Sequence, residues 1–304
     1  MLYRQIESNK RKTLGLMLLF CILVLIIGAA AGYLILEDYV AGLVLTAIIL
    51  VFYVPITYFS ASSQVLRMAG AKEIRKEDHP QLYNIVEELT LAARLPMPKI
   101  YIIDDPAPNA FAAGIKPEKA AVAYTTGLLE MMNREELEGV TAHELAHIRN
   151  YDIRLMTVCI ALVGVISVLA QIGLRMMGAG RSGSRRSGGG RSGGGNGQLI
   201  LFLVALVFII LAPLAANFVH LAVSRNREFL ADATAVEITR NPVGLKNALL
   251  KIGGDYRDVR RADKTTASMY FASPFGSKRR KKERSSWFAT HPPIAARVAR
   301  LEQM

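Results

Sequence analysis

The sequence predicts an α+β protein, mainly α, that crosses a membrane with four helices and builds one water-soluble domain from two separate stretches. Three observations lead there. Hydrophobic residues make up 52% of the 304 and charged residues 20%, with a mean hydropathy of +0.27; a soluble domain usually carries about 45–50% and 25%. Four uncharged runs reach the roughly 20 apolar residues that a spanning helix needs. The net charge is +12, from 37 basic and 25 acidic residues, which suits segments facing an anionic leaflet. The same composition excludes a wholly disordered chain. The two cysteines, Cys21 and Cys159, sit in apolar runs; they read as buried thiols and exclude a disulfide scaffold.

Residues 1–61 hold the first two spans, at 13–36 and 39–61. The first follows a basic start (Arg4, Lys10, Arg11, Lys12). It is longer than the apolar core of a cleaved signal peptide, and a second span follows almost at once, so we read it as a membrane helix. Gly28 and Gly32 have the small-xxx-small spacing for close helix packing, here against the second span of the same chain. Only Glu37 and Asp38 lie between the two spans, while Arg67, Lys72, Arg75 and Lys76 follow the second. The positive-inside rule therefore puts the N-terminus and 62–154 in the cytoplasm. Residues 155–223 read as a helical hairpin, with spans at 155–174 and 199–223. Its Gly/Ser-rich loop, 175–198, carries Arg175, Arg181, Arg185, Arg186 and Arg191. A full crossing would place those arginines outside, against the rule, so whether spans three and four traverse stays open. No aromatic residues are interleaved with them, which argues against nucleic-acid binding. The basic run 277–284 reads as a solvated loop near the inner leaflet.

The soluble stretches, 62–154 and 224–304, mix helix and strand. Leu82, Ile85, Val86 and Leu89 have helical spacing over 81–91. Residues 99–103 and 120–124 read as short strands, with a turn at Lys116 and Pro117. Asn133 and Glu136 form a capping-box pattern that starts a helix. His79 precedes Pro80 and reads as a turn residue.

That helix carries His143-Glu-Leu-Ala-His147. Residues four apart share a helix face, so the two imidazoles can grip one zinc ion. Glu144 is rotated by about 100° and can reach water beside that ion. This is the HExxH arrangement, in which metal lowers the pKa of water and the glutamate takes its proton. A third ligand is needed. The other histidines are His79, His220 and His291, and His220 lies inside the fourth apolar run. Glu228, in 224–232, is the better candidate, although a helix glutamate paired with a nearby arginine would look the same. If spans three and four form a hairpin, the helices bearing His147 and Glu228 leave the membrane side by side.

HELAH, then Ser-Arg-Asn-Arg-Glu-Phe-Leu-Ala-Asp over 224–232, then Thr290-His-Pro-Pro, with four apolar spans at these places, resembles the HtpX family of membrane zinc metalloproteases. Asn109-Ala-Phe-Ala fits as well, and the N-terminus looks most like Gram-positive members. The related prenyl-protein endopeptidases share the zinc motifs. The Gly/Ser/Arg loop is not part of the family's catalytic pattern. The resemblance implies a cytoplasmic, gluzincin-like HExxH metalloprotease domain in a multi-pass bacterial cell-membrane protein. It implies Zn2+ held by His143, His147 and Glu228, and Glu144 as general base. It also implies proteolysis of membrane proteins in quality control.

Around that site, ligating histidines usually donate their second N–H to a carboxylate, for which Asp232 and Asp152 are candidates. His291 is a candidate donor to the oxyanion; Arg297 could hold the oxyanion or a carboxylate. Residues 109–113, with Asn109, Ala110 and Phe111 as substrate-binding residues, can form an edge strand that pairs with an extended peptide. The partners expected are protein or peptide substrates and the lipid bilayer. Two other enzyme and non-enzyme readings stand beside this one: a processing protease for a specific peptide or lipopeptide, and a zinc-binding membrane scaffold without catalysis. A transporter is disfavoured, because the spans hold almost no ionisable residues.

Overall fold

Residues 2–163, 225–262, 266–275 and 292–304 are described by the structure, a computed structural model. Unbroken apolar sequence makes the first two elements, helix α1 (Leu2–Leu36) and helix α2 (Tyr39–Ala69). Asp38 caps α2 by accepting from the Val40 and Ala41 amides at 2.8 and 3.2 Å. Both helices are long and apolar enough to cross a membrane, and they expose large apolar side chains such as Leu14, Ile22, Phe52 and Phe59. Small residues let them meet closely. A Cβ on Gly28 would clash with Thr46, and one on Gly32 with the backbone of Gly42. This is the intramolecular packing that the Gly28/Gly32 spacing suggests.

Both helices run beyond their apolar stretches. The polar N-terminal residues continue α1, and α2 goes on past residue 61, burying Val65, Leu66 and Ala69. It stops at Gly70, which takes the left-handed φ of 71° that ends a helix. The soluble layer is therefore mounted directly on the ends of two membrane-length helices. Of the third apolar run, residues up to 163 are helical and packed inside; the rest of it, the arginine loop, the fourth run and His220 lie outside the described residues.

The soluble layer holds a four-stranded sheet of β1 (Lys72–Glu73), β2 (Lys99–Ile103), β3 (Ala110–Ala113) and β4 (Ala121–Thr125). Its order is β1-β2-β4-β3, with β2 and β4 parallel and β3 antiparallel to β4. Among the described residues β3 is thus an outer strand. The turn expected at Lys116 and Pro117 is a short 3-10 helix, Pro117–Lys119.

Helix α3 (Pro80–Ala93) follows the 81–91 periodicity, and His79 is its cap, Nδ1 accepting from the Leu82 amide at 3.2 Å. After the short α4 (Thr126–Met131) comes α5 (Arg134–Arg149), which begins with the expected capping box. The Asn133 and Glu136 amides each donate to the other residue's side chain at 2.9 Å. Helix α5 lies against β3 and packs on α3, on α7 (Arg225–Thr239) and on α8 (Pro242–Gly254). Gly139 and Gly244 permit that last approach, since a Cβ on Gly139 would meet the Leu245 backbone. The remaining described helices are α6 (152–163) and α9 (Ile294–Leu301).

Two apolar cores result. One lies within the soluble layer and includes Leu82, Ile100, Val122, Leu145 and Leu245. The other joins α1, α2 and α6 to the sheet through Phe111, Leu155, Cys159 and Tyr270. Strand β3 belongs to both, so the helix on its surface faces the core of the sheet layer and stands beside α1 and α2.

Candidate functional site

The capping box starts α5, and its helical pitch then sets His143 and His147 on one face. Their Nε2 atoms are 3.1 Å apart. Helix α7 brings Glu228 to the same point, with Oε2 4.0 Å from His143 Nε2 and Oε1 3.7 Å from His147 Nε2. One ligand atom from each of the three residues lies within 4.8 Å of the others. Ligand atoms on a tetrahedral ion with bonds of about 2.0–2.1 Å stand about 3.3–3.5 Å apart. The observed spacings bracket that value.

The outer faces of both imidazoles are held by carboxylates. His143 Nδ1 is 2.9 Å from Asp232 Oδ1, and His147 Nδ1 is 3.1 Å from Asp152 Oδ2. An Nδ1–H donated outward leaves each Nε2 with a lone pair turned inward. Two nitrogens and one carboxylate converging on one point suit a borderline cation such as zinc.

The two histidines differ in surroundings. Burial, and then the Arg297 charge, push His143 down to about 4, so it stays neutral. Burial also disfavours charge on His147, but the hydrogen bond to Asp152 and the charges of Glu228, Asp152 and Glu144 outweigh it. They raise His147 to about 9.

Glu144 is buried, and its Oε1 has no hydrogen-bond partner among the described residues. Burial, reinforced by Glu228, lifts its carboxyl to about 7, against the pull of His147 and Arg297. An unsatisfied buried carboxylate is costly unless something arrives to meet it. Here it borders a cleft also lined by His147, Glu228, Ala112, Ser268 and Tyr270, so water or a ligand can reach it.

Arg297 is 1% exposed and faces a carboxylate. Its Nε and Nη2 grip Asp232 at 2.9 and 2.6 Å, and Nη1 donates to the Phe271 carbonyl at 3.0 Å. Its charge holds Asp232 below the usual carboxylate range although burial alone would raise it. Of the two tasks the sequence leaves to Arg297, the geometry corresponds to holding a carboxylate. His291 lies outside the described residues.

The edge strand differs from the expectation in one respect. Asn109, Ala110 and Phe111 are almost wholly buried. Residues 271 and 272 already cover the start of the edge: Phe271 N donates to Ala110 O at 2.7 Å, and the Asn109 amide clasps the Ala272 backbone at 2.9 and 3.3 Å. Phe111 turns the other way, edge-on to Tyr270. The position on this strand that lines the cleft is Ala112. The register on β4 turns the backbones of Ala110 and Ala112 outward in alternation, and the cover on Ala110 from Phe271 leaves Ala112 as the open position.

Sequence reasoning did not single out Phe271, whose ring stands edge-on to His143 at 5.0 Å with Arg297 over its face at 4.8 Å. The segment 266–275 has no periodicity; the adjacent aromatics Tyr270 and Phe271 were its one signal.

Comparison with known proteins matches residues 76–304 to peptidase family M48. Over the full length of both chains, the sequence is 52% identical to the Protease HtpX homolog of Listeria monocytogenes serovar 1/2a and 48% identical to that of Streptococcus pyogenes serotype M28. A crystal structure of S. mikatae Ste24p superposes with a TM-score of 0.50 at 18% identity, covering 99% of this chain and 67% of that one, which is a likeness of fold.

Proposed function

Since the chain belongs to peptidase family M48 and resembles HtpX proteases along its whole length, we propose that it is a membrane-anchored zinc endopeptidase. The observation that carries this reading is the convergence of His143, His147 and Glu228 within 4.8 Å, beside a buried carboxylate with an unpartnered oxygen. In the proposal those three residues hold the zinc. When bound, zinc supplies Lewis acidity, polarising a carbonyl and making water easier to deprotonate.

The chain's own residues do the rest. Glu144 accepts the proton of the attacking water and passes one to the leaving amine. Asp232 and Asp152 fix the imidazole tautomers. Arg297 acts one step further out, keeping Asp232 charged and aligned. His291 is assigned the hydrogen bond to the oxyanion on its sequence match alone. In the proposal the substrate backbone lies along the outer edge of β3 beside Ala112.

We further read the protein as a multi-pass bacterial cell-membrane enzyme with its cytoplasmic side bearing the site, from the distribution of basic residues. Its substrates in this reading are membrane proteins handled in quality control. What supports this is the position of the cleft beside the ends of α1 and α2, with Ile153 and Met156 of α6 in its wall. A scaffold that used zinc only structurally would have no need of Glu144 in that wall.

Glu228 provides the test. Glu228→Ala purified in detergent should lose both zinc and cleavage of an unfolded protein such as casein, while remaining folded. Full zinc occupancy in that variant would remove Glu228 from the ligand set and with it the proposed site.

A further inference from the structure

Asn9 stands near the start of α1, where sequence alone suggests a solvated polar residue ahead of a membrane span. It is 4% exposed. Its Nδ2 donates to Asp152 Oδ1 at 2.7 Å and to the Asn150 carbonyl at 3.1 Å, across more than 140 residues of chain. Its Oδ1 accepts from Arg227 Nη1 at 3.4 Å. The amide can sit only this way round, because its nitrogen meets two acceptors and its oxygen a donor. Asp152 is thus held from both sides. One oxygen takes the Asn9 amide, with Arg227 Nη1 3.8 Å away, and the other faces His147 Nδ1. Asn9 thereby ties together the end of α5, the start of α6 and the α7 residue next to Glu228.

Resting on the zinc reading above, we propose that Asn9 is a positioning residue of the metal site. From the first turns of α1 it fixes Asp152, and through it the His147 imidazole. A buried carboxylate with one oxygen freed of its partner can turn, and the imidazole it orients turns with it. Outer partners of this kind typically change metal affinity about 10–100-fold when removed, and Asn9, one step further out, belongs at the low end. No other element supplies the Asn9 contact to Asp152 Oδ1 among the described residues; Arg227 lies beyond ordinary hydrogen-bond distance from it.

The test is a double-mutant cycle read in zinc affinity, by competition with a chromophoric chelator on the full-length protein in detergent. Asn9→Ala should weaken zinc binding about tenfold. Asn9→Leu, which keeps the bulk and favours the helix, should do the same and stands in if the alanine variant fails to fold. Both losses should shrink to less than about twofold in an Asp152→Asn background, because the shared partner is already altered. Leu16→Ala, a packing change on the same helix, should leave zinc affinity as in wild type. Wild-type affinity in Asn9→Leu, or full additivity with Asp152→Asn, overturns the role of Asn9 and leaves the zinc reading intact. A wild-type protein that binds no zinc overturns both.

Discussion

The two histidines of one helix are held by different sets of residues. His143 is 1% exposed and faces Asp232, Arg297 and Phe271, all from the soluble core. His147 is 17% exposed and faces Asp152, which Asn9 and Arg227 approach. The first half is a closed, fully paired cluster. The second opens onto the cleft and is completed by Asn9 of α1, a helix long and apolar enough to cross a membrane. The same motif therefore contains a rigid anchor and an adjustable arm, and each should fail differently.

Breaking the anchor should have the largest effect on the fold. Arg297→Met leaves Asp232 buried without its cation, and removing one partner of a buried pair typically costs about 3–5 kcal/mol. We expect a markedly lower unfolding temperature and loss of zinc together. A variant as stable as wild type would show that the anchor is not held by this pair.

Breaking the arm should spare the fold. Asp152→Asn keeps the shape and loses charge, so we expect zinc affinity to drop about 10–100-fold with little change in unfolding temperature. If Asp152→Asn instead unfolds the protein as Arg297→Met does, the contrast between the two halves disappears.

Protonation sharpens the contrast. In the metal-free protein His147 sits at about 9 and His143 at about 4. A raised histidine contributes stability that is fully present below its unfolded value, near 6.5, and lost as pH rises through about 9. Zinc must displace that proton, so its uptake at pH 8 should release about one proton, from His147 and not from His143. Calorimetry in buffers of different ionisation enthalpy reads this number. Asp152→Asn should bring it towards zero, and an unchanged release there would assign the proton elsewhere.

The smallest effect belongs to the support beneath both halves. The Tyr124 hydroxyl meets Thr141 at 3.0 Å and ties β4 to α5. Tyr124→Phe should cost about 1 kcal/mol and leave metal binding unchanged; altered zinc affinity would mean that the helix position depends on this bond.

Much of this was legible in local sequence. The capping box, the HExxH spacing and the apolar periodicity of 81–91 each depend on neighbours within a turn or two, and α5 and α3 form where those signals lie. Close helix packing at Gly28 and Gly32 was equally readable. What was not legible depends on distant contacts. Nothing in the sequence around Asn9 points to Asp152, its partner in the fold. For Arg297 the sequence leaves two tasks open, and only Asp232 beside it in the core separates them. The open position on β3 is set by cover from residues 271 and 272, which no pattern at 109–111 reveals. Helix α8 carries no motif, and its place follows from the Gly139–Gly244 approach.

The most direct measurement pairs metal content with cleavage on the same detergent-purified samples of wild type and Glu144→Gln, before chelation, after it, and after zinc is restored. The account calls for wild-type cleavage that vanishes with chelation and returns with zinc. It calls for Glu144→Gln to carry a full complement of zinc while cleaving about 10²- to 10⁴-fold more slowly. Undiminished cleavage by zinc-loaded Glu144→Gln, or wild-type cleavage indifferent to chelation, would contradict it.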